Sequence, residues 1–170
     1  MADEIVIRRA TAKDLRALRE IYNHAILHTT ATFDCTPKTL RERREWLKSH
    51  DRRHVLLVAE IDGHVAGWGD LRPLGDREAY RFSVENGIYV NENYRGRGAG
   101  SRLLDALLEH AANAGFHTVI AKIVAGNDIS VRIHERAGFD TIGRMRQVGR
   151  KFDQWLDVII MQKFVSGGRA

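Results

Sequence analysis

The sequence is poor in cysteine and proline, and it has no long apolar run. Its 170 residues include a single cysteine, Cys35, so an internal disulfide is impossible and a reducing compartment is expected. Only two prolines interrupt the chain, which leaves room for regular helices and strands. No stretch offers the roughly 20 apolar residues of a membrane-spanning helix, and no signal peptide is visible at the start. We therefore expect a cytoplasmic protein that does not enter a membrane.

The charges do not cluster by sign. Lysine and arginine number 27 against 22 acidic residues, but the two signs are mixed, as in residues 41–45. A nucleic-acid surface would gather its basic residues, so no nucleic-acid partner is expected. The eight histidines are scattered without the spacing of metal ligands, which predicts no metal site. With 44% hydrophobic residues, the chain fits one domain over residues 1–170, with an ordered core of 5–164 and a short flexible tail.

Apolar periodicity predicts strands and helices in alternation. A strand that ends in a glycine loop, a helix, and a further β-branched strand form a crossover, which implies one parallel strand pair. The other strands follow one another closely enough to pair antiparallel. The predicted fold is α/β: a mixed, largely antiparallel central sheet with a parallel pair and flanking helices. The predicted strands are residues 5–9, 55–61, 65–71, 80–90, 118–124, 139–148 and 154–163.

Local signals place the ends of several elements. Thr11 and Asp14 form a capping-box pattern at the start of the first helix. Thr36 followed by Pro37 predicts the start of a second, charged helix, because proline at the first helical position loses no hydrogen bond. Asp62-Gly63 predicts a hairpin turn. Residues 72–79 are polar and predict a loop.

Residues 85–104 contain the most informative pattern, a strand followed by a glycine-rich loop and a helix. Gly96, Gly98 and Gly100 remove side chains where the free N–H groups of a helix N-terminus point outward. Arg95 and Arg97 add positive charge. The stretch therefore predicts a site for a phosphorylated ligand.

Two familiar phosphate loops do not fit this stretch. A dinucleotide fingerprint, G-x-G-x-x-G, fails because its last position falls on Ser101 or Leu103. A P-loop needs a Gly-Lys-Ser/Thr tripeptide, which the chain lacks.

The remaining pattern, Arg-x-x-Gly-x-Gly, resembles the acetyl-CoA pyrophosphate loop of the GCN5-related N-acetyltransferases. Residues 127–139 resemble the second acetyl-CoA segment of that family, and the likeness runs from about residue 5 to residue 164. The resemblance implies acetyl-CoA as co-substrate. The residues it implies in coenzyme binding are Ile88, Tyr89, Val90, Arg95, Gly96, Arg97, Gly98, Ala99, Gly100, Ser101, Asn127 and Ser130.

Acetyl transfer to an amine requires a base, an oxyanion donor and an acid. Glu85, on the strand before the loop, is the candidate base. A backbone N–H near Tyr89 or Val90 is the candidate oxyanion donor, if the strand splays from its neighbour as in the family. Most relatives have tyrosine where this chain has His134, which is then the candidate proton donor to the leaving thiolate. A structural histidine or a coenzyme contact is the alternative.

Residues 80–90 and 147–157 narrow the resemblance to phosphinothricin and methionine sulfone/sulfoximine N-acetyltransferases. This implies a small amino acid analogue as acceptor, with an arginine clamp for its anion. A protein or peptide N-acetyltransferase and a non-catalytic acyl-CoA sensor remain alternatives. The candidate acceptor residues are Phe33, Arg72, Pro73, Leu74, Arg81, Phe82, Glu85, Asn86 and Gly87.

The last strand pair also predicts a homodimer. Phe152, Trp155 and Leu156 give it more apolar surface than an edge hairpin needs, and the related enzymes pair there.

Overall fold

The computed structural model describes residues 4–165, which form seven strands and four helices, with short 3₁₀ turns between some of them. The predicted C-terminal tail lies from residue 166 onward outside the described residues. In the described part of the chain, no helix is long and apolar enough to cross a membrane. The strands are β1 (Ile5–Arg9), β2 (Leu56–Ile61), β3 (His64–Pro73), β4 (Ser83–Val90), β5 (Thr118–Val124), β6 (Asp140–Lys151) and β7 (Gln154–Phe164), and the helices are α1 (Leu15–His28), α2 (Leu40–Lys48), α3 (Ala99–Asn113) and α4 (Asp128–Arg136).

The strands form one sheet in the order β1-β2-β3-β4-β5-β7-β6. All neighbours are antiparallel except β4 and β5, which run parallel and are joined through α3. The predicted mixed sheet with one parallel pair and flanking helices is confirmed.

The parallel pair is short, and this opens the sheet. β4 and β5 pair only where residues 83–85 meet residues 118–120. β4 nevertheless continues along β3 as far as Val90, and β5 continues along β7 as far as Val124. Residues 86–90 and 121–124 therefore diverge. We call the space between them the β4–β5 gap.

The two faces of the sheet carry different helices. On one face, Leu103 and Leu107 of α3 are fully buried against Val84, and α4 packs beside them. On the other, Leu18 of α1 packs with Trp68, and α2 adds Trp46. Because side chains alternate along a strand, successive residues of β4 point to opposite faces at the gap. We call these the α3–α4 face and the α1–α2 face.

Several predicted boundaries were wrong. α2 begins at Leu40, not at Thr36-Pro37, because Thr39 and Glu42 form a reciprocal capping box: the Thr39 N–H donates to Glu42 Oε2 at 2.7 Å, and Thr39 Oγ1 accepts from the Glu42 N–H at 3.2 Å. Thr36 has no acidic residue three positions later.

The loop predicted over residues 72–79 begins too early. Arg72 and Pro73 still belong to β3, and Arg72 pairs in register with Glu85. β4 correspondingly begins at Ser83 instead of Tyr80, which lies in a 3₁₀ turn. Proline is tolerated here because it ends the strand. The predicted hairpin at Asp62-Gly63 is present between β2 and β3, with both residues at positive φ.

Candidate active site

A cavity of about 340 Å³ lies at the β4–β5 gap. The residues that line it come from elements far apart in the sequence, which meet where the short β4–β5 pairing ends. Glu85 reaches it from the α1–α2 face, whereas Asn86 and His134 meet it on the α3–α4 face. The cavity thus connects the two faces of the sheet. Its lining residues are Tyr22, Thr30, Ala31, Thr32, Phe33, Arg72, Glu85, Asn86, Gly87, Ile88, Tyr89, Ala121, Lys122, Ile123, Val124, Asn127, Ser130, His134, Met145, Val148 and Val158.

Glu85 lies between two cations. Its Oε1 accepts a hydrogen bond from Arg72 Nη2 at 3.1 Å, and its Oε2 lies 2.8 Å from Lys122 Nζ. The side chain of Glu85 is 20% exposed, so it is accessible from the cavity. Burial works to lower the pKa of Arg72, but Asp70 and Glu85 outweigh it and raise that pKa. The carboxylate of Glu85 is therefore held in one position by paired charges.

Asp70 supports this cluster from beneath. Its side chain is fully buried, with Oδ2 3.8 Å from Arg72 Nη1 and 3.4 Å from His50 Nε2. A Cβ atom at position 87 would lie 2.6 Å from Asp70 Oδ1, so the buried carboxylate of Asp70 occupies the space that a side chain at Gly87 would need. The predicted residue Gly87 thus shapes the floor of the cavity by having no side chain.

His134 is buried on the opposite face. Its Nδ1 lies 2.8 Å from the Ser130 carbonyl oxygen, which can only accept, so the ring proton is on Nδ1. Its Nε2 then accepts from Asn86 Nδ2 at 3.0 Å. Burial lowers the pKa of His134 despite the bond to Ser130. This geometry does not favour the predicted proton-donor role, because the neutral ring has no proton at Nε2.

The backbone of β4 offers donors to the gap. The Asn91 N–H donates to the Ala66 carbonyl at 2.9 Å, and the Ser83 carbonyl accepts from Leu74 at 3.4 Å, so the odd-numbered residues of β4 turn their polar groups toward β3. Because these groups alternate in a strand, Ile88 and Val90 turn theirs toward the gap. Of the two predicted oxyanion donors, the alternation selects Val90 over Tyr89.

The predicted phosphate site lies at the N-terminus of α3. Gly98 is the N-cap with φ +93°, a conformation that other residues adopt only with strain, and Gly96 has φ +78°. The Arg102 N–H is bonded to the Gly98 carbonyl, so the N–H groups of Ala99, Gly100 and Ser101 precede the helical ladder.

Two charged or polar residues of the predicted coenzyme site have other partners. Arg97 pairs with Asp62 at 3.0 Å, whereas Arg95 is exposed. Asn127 is the N-cap of α4, where its Oδ1 accepts from the Ser130 N–H at 3.2 Å. Both Asn127 and Ser130 line the cavity, as does His134 one turn later.

The predicted acceptor residues separate into two groups. Phe33, Arg72, Glu85, Asn86 and Gly87 line the cavity. Pro73, Leu74, Arg81 and Phe82 are not among the described residues that line it; Arg81 and Phe82 are exposed and lie against each other, 4.6 Å from guanidinium carbon to ring centroid.

Sequence reasoning missed several residues that line the cavity, Lys122 and Tyr22 among them, and it missed Lys151, which does not line it. Lys122 is the one charged residue in the apolar strand β5, a signal that was available in the sequence. Tyr22 lines the wall and donates to Asp34 Oδ2 at 2.8 Å. Lys151 donates to the Thr32 carbonyl at 2.8 Å and so ties the loop of Phe33 to β6, while burial lowers the pKa of its amine.

No group of three or more histidine, cysteine or acidic side chains placed to hold a metal occurs within residues 4–165.

Comparison with known proteins now places the chain in a family. Residues 16–139 match the model of the "Acetyltransferase (GNAT) family". An L-methionine sulfoximine/L-methionine sulfone acetyltransferase of Pseudomonas aeruginosa is 40% identical over 161 residues, 92% of each chain. The structure of a phosphinothricin acetyltransferase from Sinorhizobium meliloti in complex with acetyl-CoA has a TM-score of 0.94 at 33% identity, covering 99% of this chain and 91% of that one. A ribosomal-protein-alanine N-acetyltransferase from Brucella melitensis has a TM-score of 0.91 at 42% identity, covering 94% and 99%. The chain is an acetyltransferase and belongs to the GNAT family.

Proposed function

We propose that the protein transfers the acetyl group of acetyl-CoA to the α-amino group of a small amino acid analogue of the methionine sulfoximine, methionine sulfone or phosphinothricin type. The observation that carries the proposal is the cavity through the β4–β5 gap, with Glu85 fixed on one face and the backbone donors of β4 inside the gap. The Pseudomonas aeruginosa and Sinorhizobium meliloti relatives support this class of acceptor.

Three features fit acetyl-CoA as the donor. The N–H groups at the start of α3 suit a pyrophosphate, and the glycine at position 98 lets it approach the backbone. The β4–β5 gap exposes strand backbone that an amide-containing arm can pair with. Within the described residues, Asn86 Oδ1 is buried and has no hydrogen-bond partner, so a donor bound in the gap would satisfy it.

Glu85 is the proposed general base. An ammonium group has no free electron pair, so the carboxylate accepts one proton from it, directly or through water. The amine nitrogen then bonds to the acetyl carbon and releases its second proton to solvent, the carbon–sulfur bond breaks, and the thiolate takes a proton. The Val90 N–H donates to the thioester oxygen as negative charge develops there. We propose that His134 holds Asn86 in place through their hydrogen bond, and that solvent supplies the proton that the thiolate takes.

The size and charge of the cavity favour a small acceptor. At about 340 Å³ it lies at the lower end of the range for small-molecule sites, about 300–1,000 Å³. Acetylation removes the positive charge of the α-amine, so the activity would detoxify an acceptor that is harmful as a free amino acid.

A second candidate is acetylation of a protein N-terminus, which the 42% identity to the Brucella melitensis protein supports. Steady-state thiol-release kinetics separate the two. We expect kcat/KM for L-methionine sulfone, L-methionine sulfoximine or phosphinothricin to exceed that for a peptide with an N-terminal alanine by at least about tenfold. A higher kcat/KM for the peptide would contradict the proposal.

The proposed enzyme is a homodimer that pairs through the β6–β7 hairpin. Val148, Phe152 and Trp155 are 49–61% exposed there, whereas Leu156, which was expected in the patch, is buried. The double variant Phe152→Asn/Trp155→Ser should be a monomer by light scattering at micromolar concentration. Leu27→Gln, which changes an exposed residue of α1, is the matched control and should stay dimeric. A monomeric wild-type protein would contradict the dimer.

A further inference from the structure

Lys122 is the one charged residue and the one exposed residue of β5. Its neighbours Ala121 and Ile123 are buried, yet its own side chain is 41% exposed and reaches into the cavity. There its Nζ lies 2.8 Å from Glu85 Oε2. β5 places this ammonium next to the proposed base from the strand across the gap.

Arg72 reaches the same carboxylate from the other side. Its Nη2 lies 3.1 Å from Glu85 Oε1, so Glu85 has a cation on each oxygen. Asp70, fully buried at 3.8 Å, pairs with Arg72 from beneath. The formal charges of the four side chains sum to zero, and Glu85 is the member that the proposed reaction neutralises.

We infer that Lys122 and Arg72 together form a binding subsite for the α-carboxylate of the acceptor, and that Lys122 is thereby a specificity-determining residue. The inference rests on the proposed function. An α-amino acid carries an ammonium and a carboxylate on one carbon. The ammonium is placed at Glu85, and its carboxylate then falls beside the two cations.

Proton transfer strengthens this arrangement. When Glu85 accepts the proton, Lys122 and Arg72 lose the carboxylate that neutralised them. The carboxylate of the acceptor replaces it, so the charge of the cluster stays balanced. The first residue of a peptide has a neutral carbonyl at that position and leaves both cations without a replacement, which is unfavourable where they are only partly solvated. The subsite therefore selects free amino acids over peptide N-termini.

The test compares two acceptors that differ only in this group: L-methionine sulfone and its carboxamide. For Lys122→Met, we expect kcat/KM for the sulfone to fall by about 10-fold to 100-fold, mainly through KM, because the contact is made before and during the reaction. For the carboxamide, kcat/KM should change by less than about threefold. Lys122→Arg, which keeps the charge, should retain most of the preference for the carboxylate.

Lys48→Met is the matched control, since it removes an exposed lysine that pairs with Glu45 at 3.0 Å, away from the cavity. It should change neither value. An equal loss with both acceptors for Lys122→Met would overturn the inference, because Lys122 would then act through Glu85 alone, and so would no loss with either. Failure of the wild type with both acceptors would overturn the proposed function, and this inference with it; activity on the carboxamide alone would overturn only the inference.

Discussion

The two faces of the sheet build their halves of the site in different ways. On the α3–α4 face, the proposed coenzyme side consists mainly of backbone: the first N–H groups of α3 and the free edge of β4 in the gap. On the α1–α2 face, the acceptor side consists of charged side chains from three strands, Arg72, Glu85 and Lys122. A site made of backbone groups binds any ligand whose hydrogen-bonding groups match their spacing, whereas a cluster of charged side chains depends on each of its residues. Single substitutions on the acceptor side should therefore reduce the turnover of the reaction or its selectivity among acceptors.

Replacement of Glu85 by glutamine should have the largest effect on turnover. The isosteric side chain cannot accept the proton, so kcat in the thiol-release assay should fall by roughly 10²–10⁴-fold. The Kd for acetyl-CoA by calorimetry should not change, because Glu85 lies on the other face. Glu60→Gln is the matched control, a strand glutamate paired with Arg8 at 2.9 Å, and should retain full activity. A kcat for Glu85→Gln within threefold of the wild type would contradict the role of Glu85 as the base, and with it the proposed difference between the two faces.

Gly98→Val should have the next largest effect, and on the coenzyme side. A β-branched residue strains the backbone at φ +93° and crowds the approach to the N-terminus of α3, so we expect the Kd for acetyl-CoA to rise by about 10-fold to 100-fold. Gly115→Val imposes similar strain at φ +76°, beyond the other end of α3, and should leave that Kd unchanged. Equal losses in both variants would mean that the effect is strain in α3 and not coenzyme contact.

His134→Gln should change kcat by less than about threefold. Glutamine can replace the contact to Asn86, and the neutral ring has no Nε2 proton to give. The same thiol-release assay measures it. A loss of about 100-fold or more, with a pH profile that loses one ionisation, would support His134 as the acid that protonates the thiolate. The reaction would then use side chains from both faces of the sheet.

The smallest predicted effect is on stability. The pKa of His134 is lowered in the folded protein, so below about pH 6.5 the unfolded chain binds a proton that the folded chain does not. The contribution of His134 to stability should therefore fall as the pH drops from about 6.5 through the folded pKa, and this contribution should not change further below it. Each pKa unit between the folded and unfolded values corresponds to roughly 3–5 °C in Tm for a domain of this size.

Thermal unfolding between pH 7.5 and 5 measures this, with His134→Gln as the comparison. The variant should lose less Tm over that range than the wild type. Parallel curves would contradict the assignment of a buried neutral ring.

The sequence predicted the backbone half of the site better than the charged half, for a physical reason. The glycine loop and the N-terminus of α3 lie within one short stretch, so residue order alone places Gly98 at the helix start. The charge cluster depends on strand register across β3, β4 and β5. The prediction of a loop from residue 72 hid the pairing of Arg72 with Glu85, and nothing local marks Lys122 beyond its charge in an apolar strand.

Two further site predictions depend on packing that is not local in the sequence. Arg81 was predicted to clamp the anion of the acceptor and Phe82 to form an apolar wall, but β4 begins only at Ser83, and neither residue lines the cavity. The role of His134 as the acid stays a prediction; its burial and its bond to Ser130 follow from how α4 packs, which the sequence of one segment does not reveal.

Donor and acceptor are expected to meet through the β4–β5 gap from opposite faces of the sheet. A crystal structure of the complex with CoA and L-methionine sulfone tests it most directly. We expect the α-amine at about 2.6–3.2 Å from Glu85, or one water away, on the α1–α2 face, with the coenzyme thiol in the gap beside Val90. An amine bound on the α3–α4 face, or a thiol that enters from the side of Glu85, would contradict it.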